Sequence, residues 1–270
     1  MVGRTEEIVH LVSSLQVGGA EKLVANLALA QQTAGRAVTV ISFGACDEPF
    51  QMQLSAADIP VINIQGALLS RCRQLVRLRR FVIIHIHSPA VVRALLPVGF
   101  VLFGRKVVYT IHGEVDHPQS LVRYSHRVLR YFMARVTAVS ESSRQSVLRR
   151  YGWSPEGVAV VANGIPLPTG AIPPVVGDRL RLGVASRLVP LKNVALLFQA
   201  LDQLPAPLQA RLAVKIFGDG PCRGELEALA AQSRQATCEF FGNVADEASI
   251  FTAFDVLLVC SDTEGLPMSV

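Results

Sequence analysis

The sequence predicts an α/β protein built from two Rossmann-like domains, the second incomplete. Three observations carry that prediction. Short, near-continuously apolar, β-branched runs alternate with amphipathic stretches, as in a parallel sheet covered by helices on both faces. A segment rich in proline and glycine, residues 163–178, interrupts the alternation. The alternation then restarts, with too few strands for a second complete domain.

In the first half the strand candidates are Ile8–Val12, Ala37–Phe43, Val61–Ile64, Phe81–Ile86, Lys106–Ile111, Val136–Val139 and Val158–Val161. Helical periodicity occupies Ala20–Ala34, Leu68–Arg80 and Glu141–Tyr151. The segment NGIPLPTGAIPPVVGD reads as an interdomain linker, giving domains 1–168 and 169–270. Beyond it the strand candidates are Leu180–Ala185, Leu212–Phe217, Glu239–Phe241 and Val256–Val259. Helices are expected over Asn193–Leu204, Arg223–Arg234 and Glu247–Ala253.

Half of the 270 residues are hydrophobic and 17% are charged, which argues for a buried core and against disorder. No apolar stretch reaches the length of about 20 residues that spans a bilayer. The longest, Ala94–Gly104, is broken by Pro97 and bracketed by Arg93 and Arg105. The N-terminus shows no signal peptide, and five scattered cysteines suit a reducing compartment and no structural zinc. The expected location is cytoplasmic, peripheral to the inner face of the membrane. Residues 1–168 hold 18 Lys+Arg against 10 Asp+Glu, and residues 169–270 hold 8 against 11. The basic first half suggests an anionic partner: a membrane surface, a lipid phosphate or an acidic glycan. Nucleic acid is disfavoured, because the basic segments lack interleaved stacking aromatics.

Ligands of open parallel sheets bind beyond the carboxyl ends of the strands, so the loops there are the candidate sites. Gly18 and Gly19 stand between the first strand and its helix, where backbone approaches a ligand closely and a helix N-terminus favours an anion; a tight turn accounts for them equally well. The pattern is not the dinucleotide fingerprint G-x-G-x-x-G. His85 and His87 share a sheet face and read as core or loop histidines, with His87 nearer the strand end. His112 follows the fifth strand, just before Gly113, where a near-neutral imidazole suits hydrogen-bond or proton work; a helix-capping or structural histidine accounts for it equally well. Arg187 and Lys192 follow a strand five residues apart and suit a diphosphate, the alternative being a pair of solvated surface cations. Gly218, in FGDGP, and Glu264, Gly265 and Leu266, in SDTEGLP, follow later strands.

As an ordered set these segments resemble the retaining glycosyltransferases of family 4, which have the GT-B fold. The resemblance rests on GGAEKLVANLA (18–28), TIHGE (110–114), AVSES (138–142), NGI (163–165), ASRLVPLKN (185–193), FGDGP (217–221), FFGNV (240–244) and SDTEGLPMSV (261–270). It implies an acceptor-binding first domain and a second domain for a nucleotide sugar, a UDP- or GDP-sugar, with no metal cofactor. It implies that Arg187 and Lys192 neutralise the donor diphosphate and that Glu264 contacts the donor sugar. It places His112 near the reacting sugar, and Gly18 and Gly19 by the donor phosphates. The acceptor is expected to be a glycan or lipid-linked.

Two departures stand out. Pro166 follows Asn-Gly-Ile where the family has an acid. The family's second glutamate would fall at position 272, past Val270, so the chain reads as truncated at its C-terminus and catalytically incompetent as it stands. A GT-B sugar-nucleotide epimerase and a non-catalytic nucleotide-binding fragment are the rival readings.

Overall fold

A computed structural model describes residues 7–113, 120–165, 178–232, 237–244, 247–264 and 266. Two compact units divide the chain, one carrying a seven-stranded sheet and the other a four-stranded sheet.

The first unit begins with β1 (Ile8–Val12), α1 (Gly19–Thr33), β2 (Val38–Ser42), α2 (Pro49–Ala56) and β3 (Val61–Asn63). It continues through α3 (Leu68–Leu75), β4 (Ile83–Ile86), α4 (Pro89–Leu95), β5 (Lys106–Ile111), α5 (Ser120–Leu129), β6 (Met133–Ala138), α6 (Glu141–Tyr151) and β7 (Val158–Val160). All strands run parallel in the order β3-β2-β1-β4-β5-β6-β7. The order reverses between β1 and β4, which is where such sheets open a crevice at their carboxyl ends. Two apolar clusters hold the sheet: Val9, Leu11, Ile84, Ile86 and Tyr109 belong to one, Val12, Val24, Ala28, Val40 and Leu54 to the other.

Because side chains alternate across a strand, the face opposite Val9 and Leu11 also receives His10, and the same alternation sets His85 apart from Ile84 and Ile86 and Thr110 apart from Tyr109 and Ile111. His10 pairs in register with His85, and Thr110 with Thr137. A buried polar ribbon thus crosses the central strands.

The second unit runs β8 (Leu180–Ala185), α7 (Ala195–Asp202), α8 (Ala206–Gln209), β9 (Leu212–Phe217), α9 (Arg223–Gln232), β10 (Thr237–Gly242), α10 (Glu247–Thr252) and β11 (Val256–Leu257). Its parallel order is β10-β9-β8-β11, with the reversal between β8 and β11. Val184, Leu197, Phe198, Val214 and Ile216 form its core.

Several expected boundaries move. Leu68–Arg80 is not one helix: α3 ends at Leu75 and a 3-10 turn covers Val76–Arg80. Leu75 and Leu78 are buried there, so the tighter turn seats both against the core. The apolar run Ala94–Gly104 splits into the end of α4 and a 3-10 segment, Leu96–Leu102, because Pro97 cannot continue an α-helix. β6 starts three residues earlier than expected, since Met133 and Arg135 pair with β5 across a bulge. Most of the linker segment lies outside the described residues.

Candidate functional site

In the second unit the site is built at the carboxyl ends of β8, β9 and β11. The chain leaves β8 through Ser186–Val189, makes a 3-10 turn at Pro190–Lys192 and enters α7 through Asn193, which adopts φ 44°. The FGDGP turn after β9 lies flat against this loop. Ser186 N donates to Phe217 O (3.0 Å), Leu188 N to Asp219 O (2.9 Å) and Cys222 N to Leu188 O (3.0 Å). A Cβ on Gly218 would sit 1.9 Å from Ser186 O, and one on Gly220 would sit 2.3 Å from Leu188 O. Gly218 also holds φ 118°, a region that L side chains avoid. The glycines of FGDGP thus let one loop's backbone brace the loop that carries Arg187.

The SDTE segment after β11 closes over the same loop. Lys192 Nζ forms an ion pair with Glu264 Oε1, and Ser261 Oγ donates to that oxygen at 2.6 Å. Asn193 Nδ2 donates to Asp262 Oδ1 (2.8 Å), and Asp262 N to Leu191 O (3.1 Å). A cleft lined by Ala185, Ser186, Lys192, Cys260, Ser261 and Glu264 lies between the β8 and β11 ends. The structure therefore brings Lys192 and Glu264 together. Arg187 is exposed and has no ion-pair partner among the described residues. Leu266 is half-buried, and Gly265 lies outside the described residues, as do Pro166 and Glu114.

In the first unit Gly18 caps α1 in an extended conformation, and Gly19 is the first residue of the helix. A Cβ on Gly18 would lie 2.3 Å from Glu21 Oε2, so a first-turn carboxylate already faces the positive end of this helix. The loop before it is tied down by Glu48, a residue that sequence reasoning missed. This buried carboxylate accepts from Leu15 N, from Ala45 N (3.1 Å) and from Gln16 Nε2 (3.3 Å).

His112, after β5, does not stand alone. His87 Nδ1 lies 3.1 Å from His112 Nε2, His87 Nε2 lies 3.0 Å from His10 Nδ1, and His10 Nε2 lies 2.8 Å from Gln31 Oε1. His85 Nε2 bonds Thr110 Oγ1 (2.7 Å), which bonds Thr137 Oγ1 (2.8 Å). Burial lowers the pKa of His10 and of His112 to about 4 and takes His85 and His87 well below the usual imidazole range. His10, His85 and His87 each place one nitrogen within 4.8 Å of the others, the neutral donor set that a borderline divalent ion takes. Both nitrogens of His10 and of His87 are already hydrogen-bonded, so an ion would have to displace those bonds. His10 and Gln31 were not singled out from the sequence. An isolated histidine inside an apolar strand and a glutamine late in a helix carry no motif.

Comparison with known families decides which family the chain belongs to. The model for Glycosyltransferase Family 4 matches residues 17–168, and that for Glycosyl transferases group 1 matches residues 172–270. The chain belongs to glycosyltransferase family 4. Its two parallel-sheet units are those of the GT-B fold. Anabaena Alr3699/HepE, solved in complex with UDP, is similar with a TM-score of 0.72 at 21% identity, over 94% of this chain and 74% of that one. A glycosyltransferase of Rickettsia africae gives 0.72 at 19% identity, over 95% and 73%. TarM gives 0.76 at 10% identity, over 99% and 82%. No match is found among curated proteins. No described helix of this transferase is long and apolar enough to cross a membrane.

Proposed function

We propose that this family 4 member is a retaining, metal-independent hexosyltransferase. It moves a sugar from a UDP- or GDP-sugar to a glycan or lipid-linked acceptor, with residues 169–270 holding the donor and residues 1–168 the acceptor. The observation that carries the reading is the Lys192–Glu264 pair, set beside exposed Arg187 at the strand-order reversal of the second sheet. In the transfer, the bond from the anomeric carbon to the diphosphate breaks, one to the acceptor oxygen forms, and the acceptor hydroxyl's proton passes to the departing diphosphate. The departing diphosphate gains negative charge as that happens. Arg187 and Lys192 supply the compensating positive charge that a metal ion supplies elsewhere. Glu264 orients Lys192 before the donor binds and then accepts hydrogen bonds from sugar hydroxyls. Gly18, Gly19, Gly218, Gly265 and Leu266 contribute main-chain amides or room for the phosphates. UDP and UDP-glucose complexes of the Anabaena protein support a uridine donor.

Calorimetric titration of UDP and GDP, with a sugar-transfer assay beside it, tests the reading. In the full-length enzyme, Arg187→Ala and Lys192→Ala are each expected to weaken nucleotide binding and to lower turnover about 100-fold, the effect of removing one charge-stabilising group. Unchanged binding and turnover in both variants would overturn the assignment. Nucleotide binding without any transfer would favour a binding protein.

The same reading places the chain in the cytoplasm, at the inner face of the membrane. Its support is a surface on the first unit where Leu68 (65% exposed), Leu69 (85%), Phe100 (55%) and Phe103 (81%) lie among arginines. The Arg79 guanidinium lies 5.2 Å from the Phe100 ring centre. Exposed apolar tips ringed by cations suit an anionic lipid interface.

A further inference from the structure

We propose that Gln31 fixes the tautomer of His112 through a buried chain of imidazoles, so that His112 offers substrate a bare Nδ1 lone pair and accepts a hydrogen bond there. The proposal rests on the reading of His112 as a residue of the transfer site.

The chain can be followed atom by atom. An amide oxygen only accepts, so His10 Nε2, 2.8 Å from Gln31 Oε1, carries the hydrogen. A neutral imidazole has one N–H, which leaves His10 Nδ1 as an acceptor. His87 Nε2 lies 3.0 Å from that nitrogen and must donate. His87 Nδ1 is then an acceptor, and His112 Nε2, 3.1 Å away, donates to it. His112 has no second hydrogen to give. Its Nδ1 is buried and has no hydrogen-bond partner among the described residues.

Neutrality is what makes the chain determinate, because a protonated imidazole would donate from both nitrogens and break the sequence of bonds. Burial supplies it: desolvation lowers the pKa of His10 and of His112 to about 4 and that of His87 well below its ordinary value. His85 stands beside the chain, not in it. Its ring centre lies 3.9 Å from that of His87, and its own Nε2 is held by Thr110. It packs against the His87 ring without setting a proton.

The consequence is chemical selectivity. A buried lone pair left without a donor is unfavourable, and a hydroxyl of a sugar satisfies it whereas a phosphate or carboxylate oxygen does not. The opposite polarity would turn His112 Nδ1 into a donor suited to an anion. Gln31, His10 and His87 are positioning residues: they act on substrate through His112.

The test is nitrogen NMR of the 270-residue chain with its six imidazoles labelled, read near neutral pH. His10, His87 and His112 are each expected as the Nε2–H tautomer. Gln31→Leu removes the terminal acceptor and is expected to spread His112 over both tautomers. Gln32→Leu is the control: it removes a different α1 hydrogen bond, to Ala57 O, and should leave the tautomers unchanged. An Nδ1–H His112 in the parent protein, or a Gln31→Leu variant with the parent's tautomer, overturns the proposal. Sugar transfer is measured in parallel with the same variants in the full-length enzyme. Gln31→Leu is expected to lower kcat about tenfold or more, the scale at which outer-shell partners act, with Gln32→Leu near parent values. A shifted tautomer with unchanged transfer would leave the relay standing and remove His112 from the transfer centre, so the two failures are distinguishable.

Discussion

Single residues in this transferase act mostly by holding backbone in place. Gly218 shows it best. The sequence marks it as a glycine turn after a strand, and the structure supplies the reason that no other residue fits: the main chain of Ser186 occupies the space a Cβ would need. Gly218→Ala must push that loop away and hold φ 118° with a side chain, at a cost of about 1–3 kcal/mol for the backbone strain alone. Because the displaced loop carries Arg187, nucleotide affinity should fall together with stability. A variant that melts and binds UDP like the parent would show that the loop yields freely. Glu48 works in the same way at the start of α1. Its buried carboxylate serves Leu15 N and Ala45 N, and Glu48→Ala strands both amides. The expected loss is about 1.5–3 kcal/mol in urea unfolding, the range for hydrogen bonds to a charged group; a loss within error of zero would mean that water replaces the carboxylate. Glu48 could not be found from the sequence, because its partners are main-chain amides more than thirty residues back along the chain in one case.

Elements were legible wherever burial imposed a period. β1, β5, α6, β8 and β9 fall where the sequence pattern put them: β1 is buried throughout, β5, β8 and β9 are buried toward their carboxyl ends, and α6 starts at a Ser140 cap and stops at Gly152 with φ 66°. α2, α4 and α5 were missed: α2 and α4 are short and open on proline after a short loop, whereas α5 is amphipathic and its pattern was legible but not picked out. α3 shows the limit of reading periodicity as function. Leu68, Leu69, Cys72, Leu75 and Val76 look like one stripe in sequence. In the structure Leu75 is buried and Cys72 packs against the core, while Leu68 and Leu69 project into solvent. Only the amino end of α3 is thus free to meet a membrane. Replacing Leu68 and Leu69 together by Ser is expected to abolish co-sedimentation with anionic vesicles at low salt. The melting temperature should hardly move, because exposed sites change stability by about 0.5 kcal/mol or less. Equal binding to neutral and anionic vesicles, or undiminished binding by the double variant, would remove this surface as the docking face.

At the scale of the molecule, each unit sets polar side chains where its own strand order reverses: His10 and His85 on β1 and β4, with His112 one strand further on after β5, and Lys192 and Glu264 after β8 and β11. The sequence disclosed the motifs at these points but not the polar ribbon behind His112, since pairing between strands far apart in sequence creates it. That ribbon has a cost in acid. An imidazole in the unfolded chain titrates near 6.5, whereas burial lowers His10 and His112 to about 4 in the folded protein and moves His85 and His87 the same way. Below about pH 6.5 the unfolded chain therefore binds protons that the folded chain refuses, and stability falls as pH falls. The contribution is intact above the unfolded pKa and is lost progressively toward the folded one. For each ring held near 4, the loss by pH 5 is about 2 kcal/mol. Several such rings in one unit can consume much of a net stability of about 5–15 kcal/mol. Carboxylates with lowered pKa, such as Asp255, destabilise only on further acidification, so the onset tells the two causes apart. Urea unfolding of the first unit, followed from neutral pH down to about pH 5, should lose stability steadily across this window, and His10→Gln should flatten the slope. A stability that stays level from neutral pH to about pH 5 would mean that these rings take up protons as readily folded as unfolded, and the dry, neutral histidine ribbon would have to be given up.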